Sequence, residues 1–303
     1  MNDRDRLKPD LVVNLALFTI VTPETLAGSL WADSLIRTDK LSTPTDIGTG
    51  LYVVTMRDPD TNENVRILPG DFVVNDETID ETSKRIVWDI LGIKAKVKLR
   101  QISIFDKPQF GNHRREISIP YWGAIAFEDL RMFLGGRNEV GLELVTSTEF
   151  IDRWEQEHNG LDEFDGVSRF GHRLNPNLTR GHVKRTSKDV SGFEILGRGH
   201  DDIVFYAWRK LRHAFTGRLD PFRYLGVLPF GSQFRISDLQ DFRDVARGEK
   251  SQADQFRRSM LQSDLALLRE TNKLDSSKRG KPARLYELNM SMPDNDLDAD
   301  DEL

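Results

Sequence analysis

The apolar pattern of the chain changes at His200, and that break limits the folds open to it. Before it, apolar residues come in strand-length runs. Residues 11–20 (LVVNLALFTI) and 51–57 (LYVVTMR) read as strands. Asp58-Pro59-Asp60-Thr61-Asn62 is a turn leading into a further run, Val65 to Leu68. Residues 77–91 set Ile79, Ile86, Val87, Ile90 and Leu91 at helical spacing, with Gly92 as the stop. Strands are expected again at about 95–104 and 116–127. After His200 the pattern is helical, over 201–215, 237–246 and 251–268, with Ser237 and Ser251 as cap candidates. A basic loop, 276–282, then leads into a short strand at 284–288. The expected organisation is an α/β domain over 1–150, a connector over 151–198, a second domain over 199–290 and a disordered acidic tail over 291–303. Two domains suit a chain of 303 residues. The Thr-, Ser- and Gly-rich stretch 21–50 reads as an inserted loop.

The formal net charge is −6, which on its face speaks against a nucleic-acid partner. The charge is unevenly placed. Residues 199–290 hold 17 Lys and Arg against 12 Asp and Glu, a net +5. The tail 291–303 holds six acidic groups and no basic one, which equals the charge of the whole chain. There is no cysteine, which excludes disulfides, thiolate zinc sites, iron–sulfur clusters and thiol nucleophiles. A cytoplasmic, nucleoid-associated protein is expected. No apolar run approaches the ~20 residues that span a bilayer, so no membrane partner is expected. The charged N-terminus lacks the apolar core of a signal peptide.

Three helices followed by a basic hairpin is the order of a winged helix-turn-helix. With Phe256 and Met260 turned inward, the third helix exposes Gln252, Gln255, Arg258, Ser259 and Gln262. Arg and Gln make bidentate contacts to guanine and adenine edges in the major groove. Ser251 and Arg257 complete the candidate set on this helix, Arg257 suiting a phosphate. The hairpin offers Lys278, Arg279, Lys281 and Arg284, with Gly280 at a tight tip that fits a phosphate backbone or a minor groove. The expected partner is a double-stranded DNA operator. A solvated charged helix face is the alternative reading.

Leu68 to Ile93 reads LPGDFVVNDETIDETSKRIVWDILGI. Glu77, Arg85, Gly92 and Ile93 stand at the spacing of the Nudix box, G-x5-E-x7-R-E-U-x-E-E-x-G-U with U aliphatic, which this segment resembles. The box's first glycine falls on Asp71, one residue after Gly70. Its three later glutamates fall on Ile86, Asp89 and Ile90. Those glutamates hold Mg²⁺ in a hydrolase, and isoleucine donates no lone pair. The expectation is a Nudix scaffold with a degraded catalytic site.

Together the halves resemble the Nudix-related transcriptional regulators, the NrtR- and NadQ-like repressors of NAD metabolism. Val227-Leu228-Pro229 approximates the family's Leu-Leu-Pro, followed by Phe234, Ile236, Ser237, Leu239 and Gln240. Gln255-Phe256-Arg257-Arg258 is similar to the family's recognition-helix run Asn-Phe-Arg-Arg, and Gly280-Lys281-Pro282-Ala283 with Leu285-Tyr286 to its wing. The resemblance implies a homodimeric repressor of NAD biosynthesis or salvage genes. It also implies a Nudix-like domain that senses an NAD-related nucleotide (NAD, ADP-ribose or ATP) without turnover, so no catalytic residue, required cofactor or metal is expected. Arg57, Arg66, Arg85, Arg114 and Arg115 are candidates for its phosphates, because a guanidinium pairs bidentately with them. Asp71 and Glu77 complete the set, with Trp122 or Tyr121 to stack a base. Two alternatives stay open: an active hydrolase of ADP-ribose-type nucleotides carrying a DNA-binding module, and an interaction protein with no DNA role. The six histidines show no metal-ligand spacing.

Overall fold

A computed structural model describes residues 9–21, 50–60, 65–94, 97–107, 116–127, 129–130, 140–144, 196–214, 233–247, 250–261, 268–276 and 282–288. The expected loop 21–50 and connector 151–198 fall outside these residues except at their ends, and the acidic tail falls outside them entirely. The N-terminal half gives β1 (Asp10–Val21), β2 (Gly50–Arg57), β3 (Arg66–Ile67) and β4 (Gly70–Phe72). Helix α1 (Ile79–Arg85) follows, then β5 (Arg100–Gln101), β6 (Phe105–Lys107), β7 (Glu116–Ala124) and β8 (Val140–Leu144).

β1 is the centre of a mixed sheet. It runs parallel to β7, with Val13 opposite Ile119, and antiparallel to β2 and β4. β3 and β8 extend the sheet from β2, and β5 and β6 from β7. Both sets of alternate side chains on β1 are apolar, so the strand must be covered on both faces. Ala16, Phe18 and Ile20 face one way; Val13, Leu15 and Leu17 face the other, and all six are buried. The second face is closed by Ile79 of α1 and by Ile86, Val87 and Leu91 of the segment that continues it.

The first face is closed from the C-terminal half. That half gives α2 (His200–Ala214), α3 (Ile236–Arg247), α4 (Ala253–Leu261), β9 (Leu268–Asp275) and β10 (Ala283–Leu288). Ile203, Val204, Ala207, Trp208 and Leu211 form one stripe along α2, and the stripe joins Phe18, Leu51 and Val53 in a single apolar cluster. The cluster continues without a break through Leu239, Ala246, Phe256 and Tyr286. The first of the three expected helices therefore packs on the sheet as well as on α3, and the chain has no solvent gap between its halves here.

Three expectations are corrected. The third helix is described over Ala253–Leu261 and does not reach 268, because Leu268 opens β9 and pairs with Leu288. Leu261 is exposed, since it lies about 100° round the helix from Met260. Among the described residues of 95–104 the extended ladder is confined to Arg100–Gln101, with Phe105–Lys107 pairing separately along β7. Neither serine caps its helix: α3 starts at Ile236, with Asp238 Oδ2 accepting from the Arg235 N–H (3.2 Å), and Ser251 precedes α4 by two residues.

Candidate nucleotide cleft and nucleic-acid interface

α1 begins with a capping box. Thr78 Oγ1 accepts from the Glu81 N–H (3.2 Å) and Glu81 Oε2 accepts from the Thr78 N–H (2.8 Å). The backbone hydrogen bond from Thr78 holds the Glu81 carboxyl below its ordinary value. One residue before the cap, Glu77 is forked by Arg85: Nε donates to Oε1 (2.9 Å) and Nη2 to Oε2 (3.0 Å). Arg85 also donates to Asp71 Oδ2 (2.5 Å) and to the Phe72 carbonyl (3.0 Å). The guanidinium lowers the Glu77 pKa, helped by the Thr82 hydroxyl, and Glu77 and Asp71 raise that of Arg85. Arg85, Glu77 and Asp71, all expected to meet a ligand, thus bind one another and fix the loop to the helix.

Beyond Arg85 the helix widens into a π turn over Ile86–Ile90, with the Leu91 N–H bonded to the Ile86 carbonyl (2.9 Å). Such turns recur at functional sites. Gly92 takes a φ of 70° and the Ile93 N–H closes onto the Val87 carbonyl (2.9 Å), which ends the helix. Ile86 is fully buried, Ile90 packs against the same core, and Asp89 is exposed. Two of the three positions that hold metal in a Nudix hydrolase therefore face apolar packing. A Mg²⁺ cage does not fit these residues, and no group of three His, Asp or Glu side chains stands together among the described residues.

Trp122 and Tyr121 are buried on opposite faces of β7, so neither offers a ring to a nucleobase. Tyr121 instead donates to Asp80 Oδ1 (2.5 Å), and burial raises its pKa. Arg57 and Arg66 stand directly opposite across β2 and β3. The Arg66 guanidinium lies over Gly141 of β8, where a Cβ would come within 2.9 Å of its Cζ. These two are the expected phosphate ligands that the structure brings together. Arg114 and Arg115 lie outside the described residues.

The C-terminal half has the geometry of a winged helix. β9 and β10 pair antiparallel, and Phe234 joins them as a single antiparallel bridge through two 2.9 Å hydrogen bonds to Tyr286. Arg235 ties the start of α3 to the hairpin through Asp275, at 2.6–2.7 Å. Phe256 anchors α4 in the core, with the Arg243 guanidinium 5.4 Å from its ring. Gln252, Gln255, Arg257, Arg258 and Ser259 are exposed along the opposite side. Among the described residues Arg257 and Arg258 form no ion pair. Ser259 donates to the Phe256 carbonyl (2.7 Å). Ser251 donates to Asp244 (2.6 Å) and accepts from Gln240 (3.1 Å), so its hydroxyl serves the turn between α3 and α4. Arg284 pairs with Glu270 across the hairpin, which offsets its charge. Gln262, Lys278, Arg279, Gly280 and Lys281 lie outside the described residues.

Two hydrogen-bonded contacts lack a sequence signature: Trp208 Nε1 donates to the Ala246 carbonyl (2.9 Å), and Arg198 is forked onto Asp58. The only local sign of the second is the pair of glycines around Arg198, which marks a tight turn.

A mixed sheet between α1 and α2, with a Nudix-type loop and helix, followed by a winged helix, defines the class: a Nudix-like fold joined to a winged-helix domain. Residues 227–288 match the NrtR DNA-binding winged helix domain, and the chain resembles the NrtR-like, Nudix-related regulators. Among solved structures, Shewanella oneidensis NrtR complexed with a 27mer DNA is similar over 92% of this chain and 93% of its own, at 16% identity and a TM-score of 0.57. NrtR of the same organism without DNA gives 14% identity and a TM-score of 0.55 over 92% and 94%. A MutT/nudix family protein from Enterococcus faecalis gives 15% and 0.52 over 95% and 90%. At these identities the likeness is one of fold. No curated protein matches the chain.

Proposed function

We propose that this protein is a homodimeric, ligand-responsive transcriptional repressor of NAD biosynthesis or salvage genes, with a Nudix-like domain that binds an NAD-related nucleotide and does not hydrolyse it. The observation that carries the DNA-binding role is α4: a helix anchored by Phe256 that turns Gln255, Arg257 and Arg258 to solvent inside a segment matching the NrtR winged helix. A homologous fold is known with a 27mer DNA bound, which supports the same partner here. In a dimer the two α4 helices would enter major grooves about one helical turn apart, with the wing tip on the flanking backbone. The sensor role is supported by Ile86 and Ile90, which pack into the core where metal-holding carboxylates would be needed. Arg57 and Arg66 are the proposed phosphate contacts.

A thermal-shift panel of NAD, ADP-ribose, ATP and nicotinamide mononucleotide tests the sensor. One of them should raise the midpoint in proportion to the logarithm of its concentration and be recovered intact after incubation with Mg²⁺. Turnover of ADP-ribose at ordinary enzyme rates would replace this reading with the hydrolase one.

A further inference from the structure

We propose that the Asp58–Arg198 pair is a releasable joint through which the ligand-binding half acts on the DNA-binding half; this rests on the reading of the protein as a ligand-responsive DNA binder. Three residues within 197–200 hold the turn between β2 and β3 and the residue just after β3. Gly197 presses on Val65 so closely that a Cβ would stand 2.4 Å from Cγ1. Arg198 donates from Nε to Asp58 Oδ2 (2.8 Å) and from Nη2 to Asp58 Oδ1 and Asp60 Oδ2 (2.5 Å each). Asp58 is 3% exposed, and its carboxylate accepts from this fork and from the Asp60 N–H (3.0 Å), so the guanidinium compensates a buried charge. Two residues on, buried His200 accepts at Nδ1 from the Leu68 N–H (2.9 Å). Both ends of the β2–β3 turn, Asp58 and Val65, are thus fastened to the short turn that leads into α2, and Leu68 beyond β3 is fastened to the first residue of α2.

Arg198 has a φ of 61° and a ψ of 20°, the left-handed region that a residue with a side chain enters only when something holds it there. The fork is what holds it. Once Asp58 moves, the backbone can relax, so the joint has a closed and a released state rather than a continuum. Arg57 ends β2 and Arg66 begins β3, so the two flank this turn as a cross-strand pair, with Arg57 next to Asp58 in the chain. An anionic group drawn to them competes with Asp58 and Asp60 for positive charge. At its far side α2 is fixed to the end of α3 by the Trp208–Ala246 hydrogen bond, one turn of chain ahead of α4. Displacement of the β2–β3 turn is therefore carried by α2 to the recognition helix.

The test compares the full-length wild type with Arg198→Met and Arg198→Lys by amide hydrogen exchange, and by affinity for the duplex upstream of its own gene with and without ADP-ribose. In Arg198→Met, exchange in 200–214 and 236–247 should rise at least tenfold while that of 10–21 stays unchanged, which also verifies folding. Lysine keeps the charge without the fork, so Arg198→Lys should fall between the two. Affinity without nucleotide should be held and the nucleotide response should shrink at least fivefold. Unchanged exchange in 200–214 and 236–247, or a full nucleotide response in Arg198→Met, would overturn the joint. A wild type that ignores the nucleotide would instead remove the sensor reading, and the exchange result would still decide the joint.

Discussion

Arg258 faces solvent on α4 with no ion pair among the described residues, so its charge is available to a partner. Arg258→Ala should weaken specific DNA binding by about 1–3 kcal/mol and relax the preference at one base pair, whereas Arg257→Ala should weaken binding evenly across sequences and reduce the salt slope by about 1. Anisotropy titrations with the operator and single-base variants separate the two. Arg85 has a different role: it lowers the Glu77 pKa below the ordinary 4.5. A carboxyl whose folded value is depressed contributes stability above its unfolded value and loses it as pH falls through the folded one. Thermal unfolding between pH 6 and 3 should therefore show a loss of stability below about 4.5 that Arg85→Met reduces. The motif spacing of Glu77 and Arg85 was legible in the sequence because both residues lie within one loop and helix, but both were expected to meet a ligand rather than each other. The Asp58–Arg198 pair was not, because its partners are 140 residues apart and nothing local records which aspartate an arginine meets.

Helix α2 looks, by its stripe of Ile203, Val204, Ala207, Trp208 and Leu211, like any amphipathic helix, and the stripe correctly names its buried face. It does not say what the face is buried against. Order along the chain suggested a winged helix beginning at 201, yet α2 lies over the N-terminal sheet and meets α3 as well. The expected helix over 251–268 takes in the first residue of β9 because Leu265 and Leu268 continue the helical period, whereas pairing with β10 sets the register of Leu268. Strand ladders joining distant segments leave little trace in a local period. The Trp208 indole ties α2 to α3 and is buried, so Trp208→Phe should leave the Ala246 carbonyl without its donor and cost about 1–3 kcal/mol in urea unfolding. An unchanged unfolding midpoint would mean that the contact carries no stability.

For the molecule as a whole, the net charge of −6 misdirects, because the positive charge is concentrated where the winged helix lies. The continuous apolar cluster from Ala16 to Tyr286 packs the two halves against each other along α2, which gives the proposed coupling a physical route. The account stands or falls on coupled binding. The most direct measurement is a fluorescence anisotropy titration of the full chain against the duplex upstream of its own gene, from 50 to 200 mM salt, with and without ADP-ribose. The account predicts binding at least 10³-fold tighter than to a random duplex, a linear fall of log affinity with log salt, and a change of tenfold or more on adding the nucleotide. Equal affinity for operator and random duplex, unmoved by nucleotide, would contradict it.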